Sequence, residues 1–371
     1  MKLSIGREKL LNLLQKVVGV VEKRQTLAIL GNVLLRSEGE TLELVATDLE
    51  MELTAQCPLD HPQERGVATA PARKLLDICR QLPDGAEIRL DAGEDRLLVH
   101  AGKSRFTLPT LPATGFPAFE PPIAEESIAI AAAHLRTALD KTQFAMAQQD
   151  VRFYLNGMLW EVEGANFRTV ASDGHRLALR EIRLEQTSEG LGRQVILPRK
   201  GVMELYRLLS DEVGDVQVEF GNNGVRVRIR DGVFSVKLVD SKYPDYRRVI
   251  PSDLGRTIGL ERDLFRTSLN RVTVMCQEKY KGVRFDFAQG QLTLTAGAEG
   301  EQAVDQVDAD YDGADFSVAY NGAYVVDAIG HCDDAFVRFS VADGTQACVI
   351  QEEGSGETEC GSVYVVMPLR L

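Results

Sequence analysis

The chain is poor in the residue patterns that most chemistry requires. Its six cysteines (Cys57, Cys79, Cys276, Cys332, Cys348, Cys360) include no C-x-x-C pair and have no histidine nearby at ligand spacing. Neither a thiolate metal centre nor a redox pair is expected, and free thiols in a reducing compartment follow. No apolar run reaches the length of a membrane span, and the first ten residues carry charge where a secretory leader needs an apolar stretch. The expectation is a cytoplasmic protein with no membrane contact. A G-x-S-x-G elbow is missing, so Asp173 and His175 have no nucleophile to serve and read as a turn residue and a surface or packing residue. The run 101–104 ends like a phosphate-binding loop, but Leu97 stands where the earlier glycine belongs and a strand pattern continues beyond it. The run 308–313 starts like a calcium loop, yet its twelfth position is Ala319 instead of glutamate. No catalytic residue, cofactor or metal is expected. Positive charge is also in deficit, with 42 Lys and Arg against 55 Asp and Glu, a net charge of −13. By itself that argues against a chain coated in nucleic acid.

What the chain does have is a long repeat. The segment 167–179 (F-R-T-V-A-S-D-G-H-R-L-A-L) has an upstream copy at 42–48 (L-E-L-V-A-T-D) and a downstream copy at 292–298 (L-T-L-T-A-G-A). Ala46, Ala171 and Ala296 stand 125 residues apart in both steps. That period is too long for a solenoid and suits one folding module, so three similar domains are expected at 1–122, 123–249 and 250–371. With 371 residues and 44% apolar content, each has material for a core. The Pro-rich segment 109–122 reads as the first link, and no domain is expected after the third.

Helical periodicity appears twice per third, at 7–18, 72–81, 135–141, 199–207, 262–272 and 324–329. Leu10, Leu11, Leu14, Val17 and Val18 form the first apolar stripe. Between helices the pattern alternates as in strands, most clearly at 216–238, where Asn223-Gly224 and Asp231-Gly232 mark hairpin corners. The class is therefore α+β. Five of the six helices are net basic although the chain is acidic, and Lys16, Lys141 and Arg271 occupy matched positions. Repetition of that kind predicts one positive face that tracks phosphates without reading sequence.

A specific resemblance covers the whole length. T-L-A-I-L-G-N at 26–32, T-D-L-E-M-E at 47–52, Q-D-V-R-F-Y-L-N-G-M-L at 149–159, S-D-G-H-R-L-A at 172–178, P-R-K-G-V at 198–202, K-L-V-D-S-K-Y-P-D-Y-R-R-V-I-P at 237–251 and Y-V-V-M-P-L-R-L at 364–371 carry it. The chain resembles the bacterial sliding clamp family, the β subunit of DNA polymerase III. The resemblance implies three repeated α+β clamp domains, with antiparallel sheets outside and helices lining the inner face. Two chains would close as a ring-forming homodimer around double-stranded DNA, held independently of sequence.

It further implies DNA contacts at Arg24, Arg73, Gln149, Phe153 and Tyr154, supported by Arg199 and Lys200; Phe153 replaces a tyrosine of some relatives. A partner-peptide pocket would comprise Leu155, Ser172, Gly174, His175, Arg176, Leu177, Pro244, Arg248 and Val249, closed by Val365, Val366, Met367, Pro368, Leu369 and Arg370. An apolar lining with arginines around it suits a short linear motif with one or two large apolar anchors and a polar or acidic flank. The dimer interface would set Lys74, Arg96, Lys103, Arg105 and Phe106 against Val274, Met275, Glu299 and Glu301. Partners implied are the DNA polymerase III α subunit, a clamp-loader complex, and other polymerases and repair proteins bound through the same kind of motif. A scaffold without DNA encirclement is the alternative, predicting the pocket but not the basic helices; a hydrolase using Asp173 and His175 is a second.

Overall fold

The computed structural model describes residues 1–21, 27–185, 192–276, 281–298, 300–342, 346–352 and 361–370. Six helices occur among them: α1 (Arg7–Val17), α2 (Ala72–Gln81), α3 (Ala132–Gln143), α4 (Arg199–Leu208), α5 (Arg262–Thr273) and α6 (Gly322–Gly330). Three of them bury one stripe at the same i, i+3, i+4, i+7 spacing: Leu10, Leu13, Leu14 and Val17 in α1, Ala72, Leu75, Leu76 and Cys79 in α2, and Phe265, Ser268, Leu269 and Val272 in α5. Leu13 takes the place that the sequence pattern gave to Leu11, which lies at the flank of the buried stripe. The Glu261 carboxylate caps α5 by accepting from the Asp263 and Leu264 amides.

Contacts group the chain into two compact units. The first combines Met1–Ala133 with Arg207–Leu238. It holds a four-stranded sheet in the order Lys2–Gly6, Glu87–Ala92, Arg96–Ala101, Ser104–Pro109, and an eight-stranded sheet that runs from Gly66–Pro71 to Glu126–Ala131. Within the larger sheet, Met51–Pro58 pairs with Gly232–Lys237, so a strand of the first third is continued by one of the second. A Cβ at Gly232 would lie 2.2 Å from the Thr54 carbonyl oxygen, and that close approach requires glycine. α1 packs on α2 and on the strands Thr41–Thr47 and Met51–Pro58.

The second unit combines His134–Tyr206 with Val239–Leu371 and is built on one thirteen-stranded sheet. Its seam is the pairing of Arg176–Arg183 with Ser362–Val366, where Leu177 faces Val365. Phe265, Phe285, Phe287, Tyr320 and Phe339 form an aromatic core beneath α5. The middle third thus gives strands to both units.

The repeat is one hairpin folded three times in one register. Ala46 faces Leu53, Ala171 faces Ala178 and Ala296 faces Ala303, the partner standing seven residues on in each case. Two of the turns share their chemistry as well. Asp48 Oδ1 accepts from the Glu50 and Met51 amides as Asp173 Oδ1 accepts from those of His175 and Arg176. Thr47 and Ser172 hydroxyls repeat the pattern, each donating to the carbonyl four residues on. The residue after the aspartate is left-handed in both: Leu49 at φ 78° and Gly174 at φ 88°.

The matched basic residues do not form the open positive face expected of them. Lys16 pairs with Asp231 at 3.1 Å, Arg271 with Asp305 at 2.6 Å, and Lys141, 3% exposed, lies between Asp333 at 2.7 Å and Glu352 at 3.2 Å. Arg7 and Lys9 are likewise bound by Asp84 and Asp60. These cations join segments distant in sequence, a role that spacing alone does not distinguish from phosphate binding.

Candidate functional site

The second unit gathers an apolar cluster on one side of the seam. Leu155, Leu159, Val170, Leu177, Ile196, Tyr243, Tyr246, Val349 and Val365 are buried in it, with Tyr154, Val249 and Met367 half-buried at its fringe. Strand alternation explains the selection. Leu177 and Leu179 turn to the cluster from one strand, and Val363, Val365 and Met367 from the neighbouring segment. Val366 is buried on the opposite face, so it is separated from the lining in which Val365 takes part. Pro244, His175 and Arg248 are exposed around this apolar surface. Ser172 holds the turn beneath it, and the Met367 amide donates to the His175 carbonyl at 2.9 Å. Pro368 and Leu369 pair with Tyr320 and Ala319, and exposed Arg370 follows them.

Arg176 is not a free rim cation. Its guanidinium donates to Asp173, Asp327 and the Phe144 carbonyl and lies over the Tyr324 ring at 4.4 Å. Asp173 is spent on that ion pair and on its own turn, which leaves the His175 pairing suggested by the sequence without a geometric basis. Arg152, which sequence reasoning passed over, reaches across to Gly174. It donates to Asp150 and to the Asp173 carbonyl, and a Cβ at Gly174 would stand 2.8 Å from its terminal nitrogens. Tyr243 and Tyr246 were also missed as lining residues, although both stand in the quoted K-Y-P-D-Y run; burial pushes both phenols up.

Of the residues expected to meet DNA, Gln149, Phe153 and Tyr154 belong to one turn. Hydrogen bonds from Arg152 hold the Asp150 carboxyl down at about 2, and Asp150 and Asn156 exchange two further bonds. That bracing presents Gln149 at φ 57° and leaves Phe153 72% exposed. Tyr154 instead turns edge-on to Tyr243, toward the apolar cluster. Arg199 donates to the Met146 carbonyl, and burial followed by the charge of Arg176 lowers its pKa; Lys200 is half-buried. In the first unit Arg73 is exposed and donates to the Val21 carbonyl at 2.6 Å. Arg24 lies outside the described residues.

The residues expected at an interface fall at two places. In the first unit Lys103 and Arg105 line a cleft of about 880 Å³ with Arg89 and His100, at the edge strand Ser104–Pro109. Lys74 and Arg96 are exposed and Phe106 is half-buried. In the second unit Val274 is 78% exposed, with Met275 half-buried beside it and Glu301 exposed at the start of the strand Glu301–Asp310. Glu299 lies outside the described residues.

Three copies of a hairpin-and-helix module, sheets that run on from one third into the next, and an apolar surface built at such a seam define a sliding clamp. The comparisons with known proteins agree. Family models of the DNA polymerase III beta subunit match as its N-terminal domain over 1–120, its central domain over 129–245 and its C-terminal domain over 247–370. The chain is 43% identical to the "Beta sliding clamp" of Pseudomonas aeruginosa and 42% identical to that of Escherichia coli (strain K12), each covering 100% of both chains. Among solved structures, a DNA polymerase sliding clamp from Pseudomonas aeruginosa with ligand superposes with a TM-score of 0.96 at 43% identity, and Caulobacter crescentus pol III beta with 0.93 at 37%, each over 100% of both chains. The chain belongs to the DNA polymerase III beta subunit family.

Proposed function

We propose that two copies of this chain close head to tail into a ring around duplex DNA and act there as a processivity factor, a non-catalytic subunit of the DNA polymerase III holoenzyme. One observation carries the ring. The outer strand of the first repeated hairpin, Met51–Pro58, is continued by Gly232–Lys237, and that of the second, Arg176–Arg183, by Ser362–Val366. The outer strand of the third, Glu301–Asp310, meets a neighbour on its far side only at Ala309 and Asp310 among the described residues. The corresponding strand is Ser104–Pro109, an edge that has one partner strand among the described residues. A second copy supplies each missing pairing. Charge supports the same register: Lys74, Arg96, Lys103 and Arg105 bring cations, Glu299 and Glu301 bring carboxylates, and Val274, Met275 and Phe106 supply apolar contact.

In this reading the modules span 1–122, 123–249 and 250–371. Arg24, Arg73, Gln149, Phe153, Tyr154, Arg199 and Lys200 make loose contacts with DNA. Because so many helix cations are already ion-paired, retention comes from enclosure more than from phosphate affinity. The surface formed by Leu155, Leu177, Val249, Val365 and Met367, edged by Ser172, Gly174, His175, Pro244 and Arg248, takes the short motif of the polymerase α subunit, of the clamp loader and of other polymerases and repair proteins. Such a protein works in the cytoplasm, where the chromosome is. The test is retention after loading by a clamp-loader complex: the ring stays on nicked circular DNA and is lost when that DNA is linearised. Equal loss from both forms would refute encirclement and leave the scaffold reading.

A further inference from the structure

The partner surface includes a wall, residues 243–249, that two buried rings, Tyr243 and Tyr246, anchor in the apolar cluster. Residues 243–249 carry Pro244, Arg248 and Val249, and of these only Val249 is half-buried. The segment contains a single short 3-10 turn, Tyr246–Arg248, capped by Asp245. A cavity of about 600 Å³ is lined by the segment together with Glu161, Glu163, Arg193 and Gln194. Beside it, polar contacts from the segment to the sheet converge on one carboxylate.

Glu161 stands on the strand Gly157–Glu163 and is 4% exposed. Its Oε1 accepts from Gln194 Nε2 at 2.5 Å. Its Oε2 accepts from the Tyr246 hydroxyl at 2.6 Å, from Arg247 at 2.9 Å and from Arg168 at 3.1 Å. Arg168 is bound in addition by Glu163 and Glu181, which ties the group to three adjacent strands. Burial by itself would raise the Glu161 carboxyl, but hydrogen bonds from Tyr246, Gln194 and Arg168, with the charge of Arg247, outweigh it and hold the group below its ordinary value. Tyr246 is the joint between this network and the partner surface: its ring is buried in the cluster with Leu155, Leu177 and Val365 while its hydroxyl rests on Glu161. Moving the segment outward would leave a buried carboxylate short of donors, a change that the interior penalises heavily.

We propose that Glu161 is a positioning residue for partner binding: through Tyr246 and Arg247 it holds the 243–249 wall in the shape a peptide anchor needs. This rests on the partner surface described above. A wall fixed beforehand spares the bound state the ordering of a loop, so the network acts on affinity without touching the ligand.

The test uses the full chain and a fluorescein-labelled hexapeptide carrying one leucine, one phenylalanine and one aspartate, read by anisotropy. Met367→Glu, placed in the lining, reports on the surface itself. Glu161→Gln and Tyr246→Phe should each weaken binding about five- to ten-fold, and the double variant should be no more than about two-fold worse than the weaker single, since both break one link. Dimer mass and the far-UV circular dichroism spectrum should stay at the unmodified level, which a general loss of structure would not allow. Tyr246→Phe removes one hydroxyl and keeps the ring in the core, so it remains informative if Glu161→Gln folds poorly. Binding within about two-fold of the unmodified chain in both single variants, with Met367→Glu abolishing it, overturns the positioning role alone. Unchanged binding in Met367→Glu overturns the partner surface, and the proposal with it.

Discussion

Replacing Lys141 by methionine isolates the most deeply buried cation described in the second unit. The methionine keeps the apolar stem that α3 buries and removes the ammonium that lies between Asp333 and Glu352 and donates to the His331 carbonyl. Asp333 is 80% exposed, so its share is screened and small. Glu352 is the partner that matters, at 11% side-chain exposure; it keeps the Asp333 amide donor but loses the Lys141 ammonium. Removing one member of a buried pair is destabilising by about 3–5 kcal/mol, and the exposed second acid places this case at the lower end, about 3 kcal/mol. For a unit of this size that corresponds to a fall of roughly 6–12 °C in Tm. Differential scanning calorimetry of the full chain measures it. Adding Glu352→Gln to Lys141→Met should recover about half the loss, because the buried charge that faced Lys141 is then gone. A single-variant loss below about 1 kcal/mol, or no recovery in the double variant, would refute the buried clasp.

Three further outcomes are open to measurement. Glu52 has its carboxyl raised from 4.5 to about 7 by burial and then by the charge of Glu43; its contribution to stability is whole below pH 4.5 and is lost as pH rises through about 7. Glu52→Gln should therefore be more stable than the unmodified chain at pH 8 by on the order of 1–2 kcal/mol and not at pH 4.5, and a gap independent of pH in urea titrations would count against this. Leu49→Gly relieves a left-handed leucine and should stabilise by up to about 1 kcal/mol, whereas Gly174→Ala, at φ 88° and 2.8 Å from Arg152, should destabilise by about 1–3 kcal/mol; chemical denaturation decides both, and the opposite signs would remove the parallel between the two turns. Phe153→Ala should leave stability within about 0.5 kcal/mol, as for other exposed side chains, and a larger loss would mean that the 149–154 turn is not held by Asp150 and Asn156.

The helices and the repeated hairpin were legible in the sequence because both rest on local periodicity. The stripe of α1, the Asn223-Gly224 and Asp231-Gly232 corners and the 125-residue spacing of Ala46, Ala171 and Ala296 need no knowledge of distant contacts. The fate of charged residues was not legible. Lys141 and Arg73 carry the same kind of charge on helices, yet one is buried against acids about 190 and 210 residues away and the other is exposed. The resemblance implies both Val365 and Val366 in the pocket, and strand alternation puts the two on opposite faces. Arg152 gave no signal, since its contact with Gly174 depends on a turn and a hairpin meeting in space.

The continuation of the first and second thirds' sheets by a strand from the next third bears on how such a chain can change in length. Cutting at either link would not release a self-sufficient piece, because Met51–Pro58 would lose Gly232–Lys237 and Arg176–Arg183 would lose Ser362–Val366. A newly exposed strand edge invites aggregation. Gain or loss of a module in this architecture is therefore viable only as a whole repeat, joined so that every outer strand again finds the next one.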